Sequence, residues 1–218
     1  MSGSSAAPAS RRRHALESLG TAAAAIGPIT PGMSLFAITR GQWSMLDAVQ
    51  HVVLELGRAW VSVLTWAIAD YEVEAMAGLM ANAAIIGARL IVDRSAEQRS
   101  SSTIAAWRER FGVASVRVCK NHAKIARVWT PGEISSDGGG FRRVLIRGSM
   151  NLNFNPRFEQ ADVTEGGEDF ELVARLENEL PILRPMCSNT EADTASGLGK
   201  AFESSTLQMF DGIKPWST

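Results

Sequence analysis

A single α/β domain, with a mixed β-sheet flanked by helices on both faces, is the fold this 218-residue sequence predicts, and three observations carry the prediction. From Ser34 onward, apolar runs of strand length alternate with segments of helical periodicity. The second half instead sets strand-like runs in succession with short polar or Gly/Pro connections, the pattern of hairpin-linked strands. Hydrophobic content of 45% and charged content of 21% are ordinary, enough for one sizeable core. Strand–helix alternation followed by hairpins implies parallel and antiparallel neighbours in one sheet, with helices packed on its faces.

Residues 1–32, rich in Ser, Ala, Gly and Pro, read as a flexible N-terminal arm. A strand over 34–39 stops at Gly41, and Ser44 with Asp47 forms a capping box for a helix that puts Met45, Leu46, Val49, Val52, Val53 and Leu56 on one core-facing stripe. An apolar strand over 60–68 follows. Asp70 is the expected N-cap of a helix reaching Ala84, and 89–92 makes the next strand. Ser101 or Ser102 opens a helix carrying Ile104, Ala105, Trp107 and Phe111, with Gly112 as its stop. Strands are then expected over 115–119, over 122–128, and over 141–147 running into Ser149 and Asn151. The residues between the last two, 130–132 and 136–140, read as an extended hairpin loop. A final strand over 160–164 precedes an amphipathic helix marked by Phe170, Val173, Leu176 and Leu180 that ends near Pro181. The domain therefore spans 33–185, and 186–218 form a polar C-terminal tail.

The chemistry concentrates in His122-x-Lys124 and Gly148-Ser149-x-Asn151. In extended chain, side chains two apart share a face, so His122 projects with Lys124 and Ser149 with Asn151. An imidazole beside an ammonium, a hydroxyl and an amide is half of a phosphodiesterase site. One group forms or breaks the bond to phosphorus, and the donors hold the phosphoryl oxygens as charge redistributes. This set calls for no metal and no cofactor.

The segments 121–125 and 147–152 resemble the HKD signature of the phospholipase D superfamily: His-x-Lys, four residues, Asp, then Gly-Ser-x-Asn. The resemblance implies one phospholipase D-like lobe. It also implies that Glu159, within Asn155-Pro156-Arg157-Phe158-Glu159, hydrogen-bonds the catalytic imidazole. Two departures stand out: Trp129 occupies the position of the family's Asp, and the segment from Lys124 to Gly148 is longer than usual. Catalysis in the superfamily uses two facing His-x-Lys motifs, and this chain has one. His14 falls in the arm and His51 on a polar helix face beside Asp47, Gln50 and Glu55, where both read as solvated. The resemblance thus implies a two-fold homodimer in which His122 meets its own copy. The implied catalytic set is His122, Lys124, Ser149, Asn151 and Glu159.

Net charge near zero excludes a general nucleic-acid-coating protein, but Arg108, Arg110, Arg117, Lys120, Lys124, Arg127, Arg142, Arg143 and Arg147 outnumber Glu109, Glu133 and Asp137 around the motif. Such residues serve either as a solvated face on edge strands or to steer a polyanion. On the second reading Arg127 and Arg147 bind substrate, and Trp66, at a strand end, stacks a base unless it is a core residue. Cys119 and Cys187 form no disulfide or zinc pattern, pointing to a reducing compartment. Arg11-Arg12-Arg13 before an Ala-rich run mimics a signal peptide weakly, but Glu17 and the Gly27-Pro28 and Pro31-Gly32 breaks interrupt it, so a cytoplasmic protein without stable membrane insertion is expected. Gly197-Leu198-Gly199-Lys200 lacks P-loop spacing, and Ser149 lacks a nucleophile elbow. The expected function is a metal-independent nuclease acting on DNA or RNA through a phosphohistidine, of a phage- or prophage-borne branch. The alternatives are a catalytically weak or inactive nucleic-acid-binding or assembly module on the same fold and, less favoured, a phospholipase.

Overall fold

The computed structural model describes residues 13–18, 20–132 and 141–183. In chain order the elements are β1 (Arg13–Ser18), α1 (Ala22–Ile26), β2 (Ser34–Arg40), α2 (Met45–Leu56), β3 (Ala59–Thr65), α3 (Asp70–Ala81), β4 (Ile85–Asp93), α4 (Ala96–Arg99), α5 (Ser101–Phe111), β5 (Val116–Cys119), β6 (Ile125–Trp129), β7 (Arg143–Gly148), β8 (Phe158–Glu165) and α6 (Glu168–Glu179). The strands form one eight-stranded sheet in the order β1-β2-β8-β7-β6-β3-β4-β5. β1 is parallel to β2, and β3, β4 and β5 are mutually parallel, whereas β6 and β8 pair antiparallel with each of their neighbours. One edge of the sheet therefore gathers the C-terminal ends of six strands and the N-terminal ends of β6 and β8. The candidate site residues 122, 124, 149, 151 and 159 lie toward that edge.

Strand alternation splits the sheet into two unlike faces. Val61 and Val63 of β3, Leu90 and Val92 of β4, Ala126 and Val128 of β6, and Val144 and Ile146 of β7 are buried in one cluster with Val49, Val52 and Val53 of α2, Met76 of α3 and Trp107 of α5. The residues between them are mixed, Ile91 and Leu145 being apolar and Ser62 and Arg127 polar. Arg127, Arg143 and Arg147 point to the opposite face, where they meet Glu177, Glu171 and Asp169 of α6. Helices thus cover both faces, as the alternation predicts.

Local chemistry sets the element ends. The Ser44–Asp47 capping box forms in full, with the Ser44 amide donating to Asp47 at 2.7 Å and the Asp47 amide to Ser44 Oγ at 3.3 Å. Gly57 and Gly112 close α2 and α5 at φ of 79° and 87°, the left-handed region where a Cβ is strained. Three expectations need correction. Within the stretch read as a flexible arm, β1 is a paired edge strand and residues 22–26 are helical. Asp70 is inside α3 rather than its cap, which is Ala69, and its carboxylate accepts from Thr103 Oγ1 at 2.5 Å, tying α3 to α5. His51, read as solvated, contacts Gly27 O through Nε2 at 2.7 Å. The expected loop over 136–140 and tail over 186–218 lie outside the described residues.

Candidate active site at the strand ends

Asn121 organises the approach to β6. Its buried side chain donates through Nδ2 to Thr65 O at 3.2 Å and Ile91 O at 3.5 Å, while Oδ1 accepts from the Ala123 amide at 2.8 Å. The backbone amide of Asn121 in turn donates to Asp93 Oδ2 at 3.0 Å. These bonds turn the chain across the ends of β3 and β4, so His122–Lys124 are irregular and β6 begins only at Ile125. The expected strand over 122–128 is shortened accordingly. His122 and Lys124 still converge: Lys124 Nζ lies 3.0 Å from His122 Nδ1 and donates to His122 O at 2.7 Å. A buried asparagine before the motif was the signal for this turn, since Asn side chains commonly bond the backbone two residues on.

The second half of the motif follows from close strand approach. Gly148 continues the ladder, its amide donating to Lys124 O at 3.1 Å, and the Ser149 amide donates to Gln160 O at 3.1 Å. A Cβ on residue 148 would lie 2.0 Å from that same Gln160 oxygen, so only glycine permits this pairing. Ser149 Oγ then accepts from the Gln160 amide at 2.9 Å and donates to Glu159 Oε2. The other carboxylate oxygen of Glu159 accepts from Asn155 Nδ2 at 2.9 Å. Glu159 was expected on the imidazole; the structure sets it on Ser149 and Asn155 instead, and the contacts of the imidazole are with Lys124 and Trp66. Asn151 Oδ1 accepts from the Trp66 amide at 3.3 Å, which leaves the Nδ2 end of the amide for other partners. Thr65 Oγ1, buried at the end of β3, accepts from the Leu152 amide at 2.9 Å and donates to Ala67 O at 2.7 Å. Thr65, Asp93, Asn121 and Asn155 are the supporting residues that the motif itself does not reveal.

His122 is exposed and Lys124 is buried. Burial lowers the Lys124 ammonium below its ordinary pKa, and the negative charge of Glu159 works against that shift. Burial acts to raise Asp93, but hydrogen bonds from Ser95 and the Asn121 amide, with the charge of Arg99, outweigh it and hold the carboxyl below its usual range. The indole of Trp66 sits beside His122, ring centroids 5.9 Å apart and tilted by 55°, and the guanidinium of Arg99 lies 3.9 Å above the indole.

Two of the expected substrate contacts are placed otherwise. Arg127 is buried on the α6 face, bonded to the fully buried Glu177 and lying 4.6 Å over Trp129 and 4.8 Å over Phe170. Arg147, on that same face, pairs with Asp169 at 2.6 Å. Arg143 likewise meets Glu171, Arg108 meets Glu97 at 3.4 Å and Arg110 meets Glu74 at 3.0 Å. The positive stretch of sequence is thus largely neutralised by carboxylates from distant segments. Trp66 alone of the three stands at the site, and it is exposed rather than a core residue. Trp129 lies at the far end of β6, five residues and so about 16 Å along the strand from Lys124, packed edge-on against Phe170. No group of three or more His, Cys, Asp or Glu side chains is placed to hold a metal among the described residues, and no helix among them is long and apolar enough to cross a membrane.

No family model matches the chain, and no curated protein matches it. Among solved structures it is similar to TrmBL2, an archaeal chromatin protein, at 9% identity and a TM-score of 0.41 over 74% of this chain and 58% of that one. It is also similar to polyphosphate kinase from Porphyromonas gingivalis, at 13% identity and a TM-score of 0.48, over 83% of this chain. The chain spans 32% of that kinase's length.

Proposed function

We propose that this protein is a metal-independent phosphodiesterase of the phospholipase D type, a nuclease whose active site is completed by a second copy of the chain. The observation that carries this reading is the exposed His122 imidazole in contact with the buried Lys124 ammonium at 3.0 Å, beside the Ser149–Glu159 pair. The segment leading into β6 thereby sets a candidate nucleophile beside a cation able to hold phosphoryl oxygens. His51 is engaged with Gly27, and residue 14 stands near the start of β1, at the opposite edge of the sheet from the site. A second imidazole is therefore best supplied by a two-fold copy.

In the proposed reaction one neutral His122 attacks phosphorus through a ring nitrogen as the bond to the leaving oxygen breaks. That oxygen takes a proton from the protonated His122 of the partner subunit. Water then attacks phosphorus, passing its proton to the same imidazole, and the P–N bond breaks. Lys124 and the Nδ2 of Asn151 would hold the phosphoryl oxygens. The Ser149 hydroxyl donates to Glu159 and so positions the β7–β8 junction rather than the phosphate. Loss of the family's Asp at Trp129 would favour the binding-module alternative, but the location of Trp129 at the far end of β6, packed against Phe170, argues for a packing role there.

The test is cleavage of single- and double-stranded DNA and RNA in EDTA. Cutting that falls by more than about 10³-fold in His122→Ala supports the reading. Equal cutting by that variant, or full activity from a proven monomer, overturns it; retention of nucleic acid with no cutting supports the binding module, and headgroup release from vesicles a phospholipase.

A further inference from the structure

We infer that Arg99 is a substrate-binding residue of this site: it holds the phosphate next to the one that His122 attacks, so the substrate is a strand of linked phosphodiesters, a nucleic acid, rather than a single diester. This rests on the phosphodiesterase reading. Arg99 ends α4, and its guanidinium lies 3.9 Å over the indole of Trp66 while Nη2 donates to Trp66 O at 3.0 Å. Trp66 in turn touches both halves of the motif, through its ring beside His122 and through its amide, which donates to Asn151 Oδ1 at 3.3 Å. The distances of 5.9 Å from His122 to Trp66 and 3.9 Å from Trp66 to the guanidinium bound the separation of Arg99 from the imidazole at about 10 Å, up to three nucleotides of a stacked strand at about 3.4 Å each and fewer of an extended one.

The kind of partner Arg99 has sets it apart from the other arginines. Arg108, Arg110, Arg127, Arg143 and Arg147 each meet a carboxylate, which neutralises them. Arg99 meets an aromatic face and a carbonyl oxygen instead, and among the described residues no carboxylate lies within ion-pair distance of it. Asp93, whose negative charge acts with that of Arg99, is taken up by the Ser95 and Asn121 amides at 2.9 and 3.0 Å. Arg99 is also exposed, so its charge is open to a ligand. A guanidinium is a planar fork of five N–H donors. With one of them on Trp66 O and its face on the indole, the edge of the fork remains to grip phosphate oxygens in pairs. The indole orients that fork in advance, which lowers the entropy lost on binding.

The experiment measures binding of a fluorescein-labelled 20-mer of thymidine to the His122→Asn protein, alone and with Arg99→Gln, Arg99→Lys or Arg175→Gln added, from about 50 to about 200 mM salt. One phosphate contact contributes about 0.7 to the slope of log affinity against log salt, so Arg99→Gln should flatten the slope by about that amount. Arg99→Lys, which keeps the charge, should keep the slope, as should Arg175→Gln, which removes an exposed arginine of α6. In cleavage by the protein with His122 intact, Arg99→Gln should lower kcat/KM for the 20-mer at least about fivefold more than for bis(p-nitrophenyl) phosphate, with the loss in KM. An unchanged slope in Arg99→Gln, an equal change in Arg175→Gln, or equal losses on the two substrates overturns the inference. Cleavage of the small diester without binding of the strand refutes the role of Arg99 and spares the phosphodiesterase reading; Arg99-dependent binding without cleavage of either substrate upholds the phosphate contact and refutes that reading.

Discussion

Replacing Gly148 by alanine tests whether the geometry of the motif is a packing requirement. The added Cβ would sit 2.0 Å from Gln160 O, 3.0 Å from Gln160 C and 3.1 Å from Ala161 Cα, all backbone atoms that cannot rotate aside. β7 and β8 must therefore part by about 1 Å or more before the contact becomes tolerable. That shift breaks the Ser149 amide bond to Gln160 O, now 3.1 Å, and pulls Ser149 Oγ from the Gln160 amide and from Glu159. A lost hydrogen bond contributes about 1 kcal/mol and overpacking about 1–3 kcal/mol, so Gly148→Ala is expected to destabilise by about 2–4 kcal/mol. In a domain of this size that lowers Tm by roughly 4–16 °C. Urea and thermal unfolding followed by circular dichroism measure it. Gly78→Ala is the control, because a Cβ there meets nothing within 4 Å in the middle of α3, and this substitution should stabilise by about 0.5–1 kcal/mol. A Gly148→Ala protein within about 0.5 kcal/mol of wild type would refute the reasoning.

Further outcomes follow from the same structure. Removing Glu177 in Glu177→Ala leaves the buried Arg127 guanidinium uncompensated and should cost about 3–5 kcal/mol, whereas the double replacement Arg127→Met with Glu177→Leu should recover most of it in a urea titration. Lys124 has a folded-state pKa below its unfolded value, so the unfolded chain binds more protons between the two; wild-type stability should rise relative to Lys124→Met as pH climbs from neutral toward about 10, and a falling difference would contradict the assigned burial. Glu159→Gln removes the charge that opposes this shift and weakens the hold on Ser149; diester cleavage should drop by tenfold or more with little change in Tm, and full activity would exclude Glu159 from the site. Burial pushes the Cys119 thiol up to about 11, so in a Cys187→Ser background its alkylation at pH 8 should be more than tenfold slower in the native protein than in urea.

The parts of the fold legible in the sequence were those governed by near neighbours. The capping box at Ser44 and Asp47 and the glycine stop at Gly112 each depend on residues within a few positions, and each appears where expected; α6 also forms, but it buries Phe170 and Glu177 and leaves Leu176 of the expected apolar stripe exposed. His122, Lys124, Ser149 and Glu159 were legible as a candidate set from their types and order. Their geometry was less so. The break before β6 arises from the bonds of Asn121 to Thr65 and Ile91, and the carboxylate of Glu159 is drawn to Ser149 and Asn155 by the register of β7 against β8.

Charge was the least legible quantity. Arg127 and Arg147 lie in a positive stretch of sequence, yet Glu177 and Asp169 of α6 reach them across the chain, because strand alternation turns odd-numbered residues of β6 and β7 toward that helix. An exposed cation beside the site is instead Arg99, over Trp66, from a segment with no motif. Periodicity, caps and reactive side-chain types were determined by the sequence alone, since they act over a turn or a strand. Which charges are neutralised, which rings stay open and which residues support His122 were decided only by the tertiary structure, because those depend on partners many residues away that the sheet brings within bonding distance.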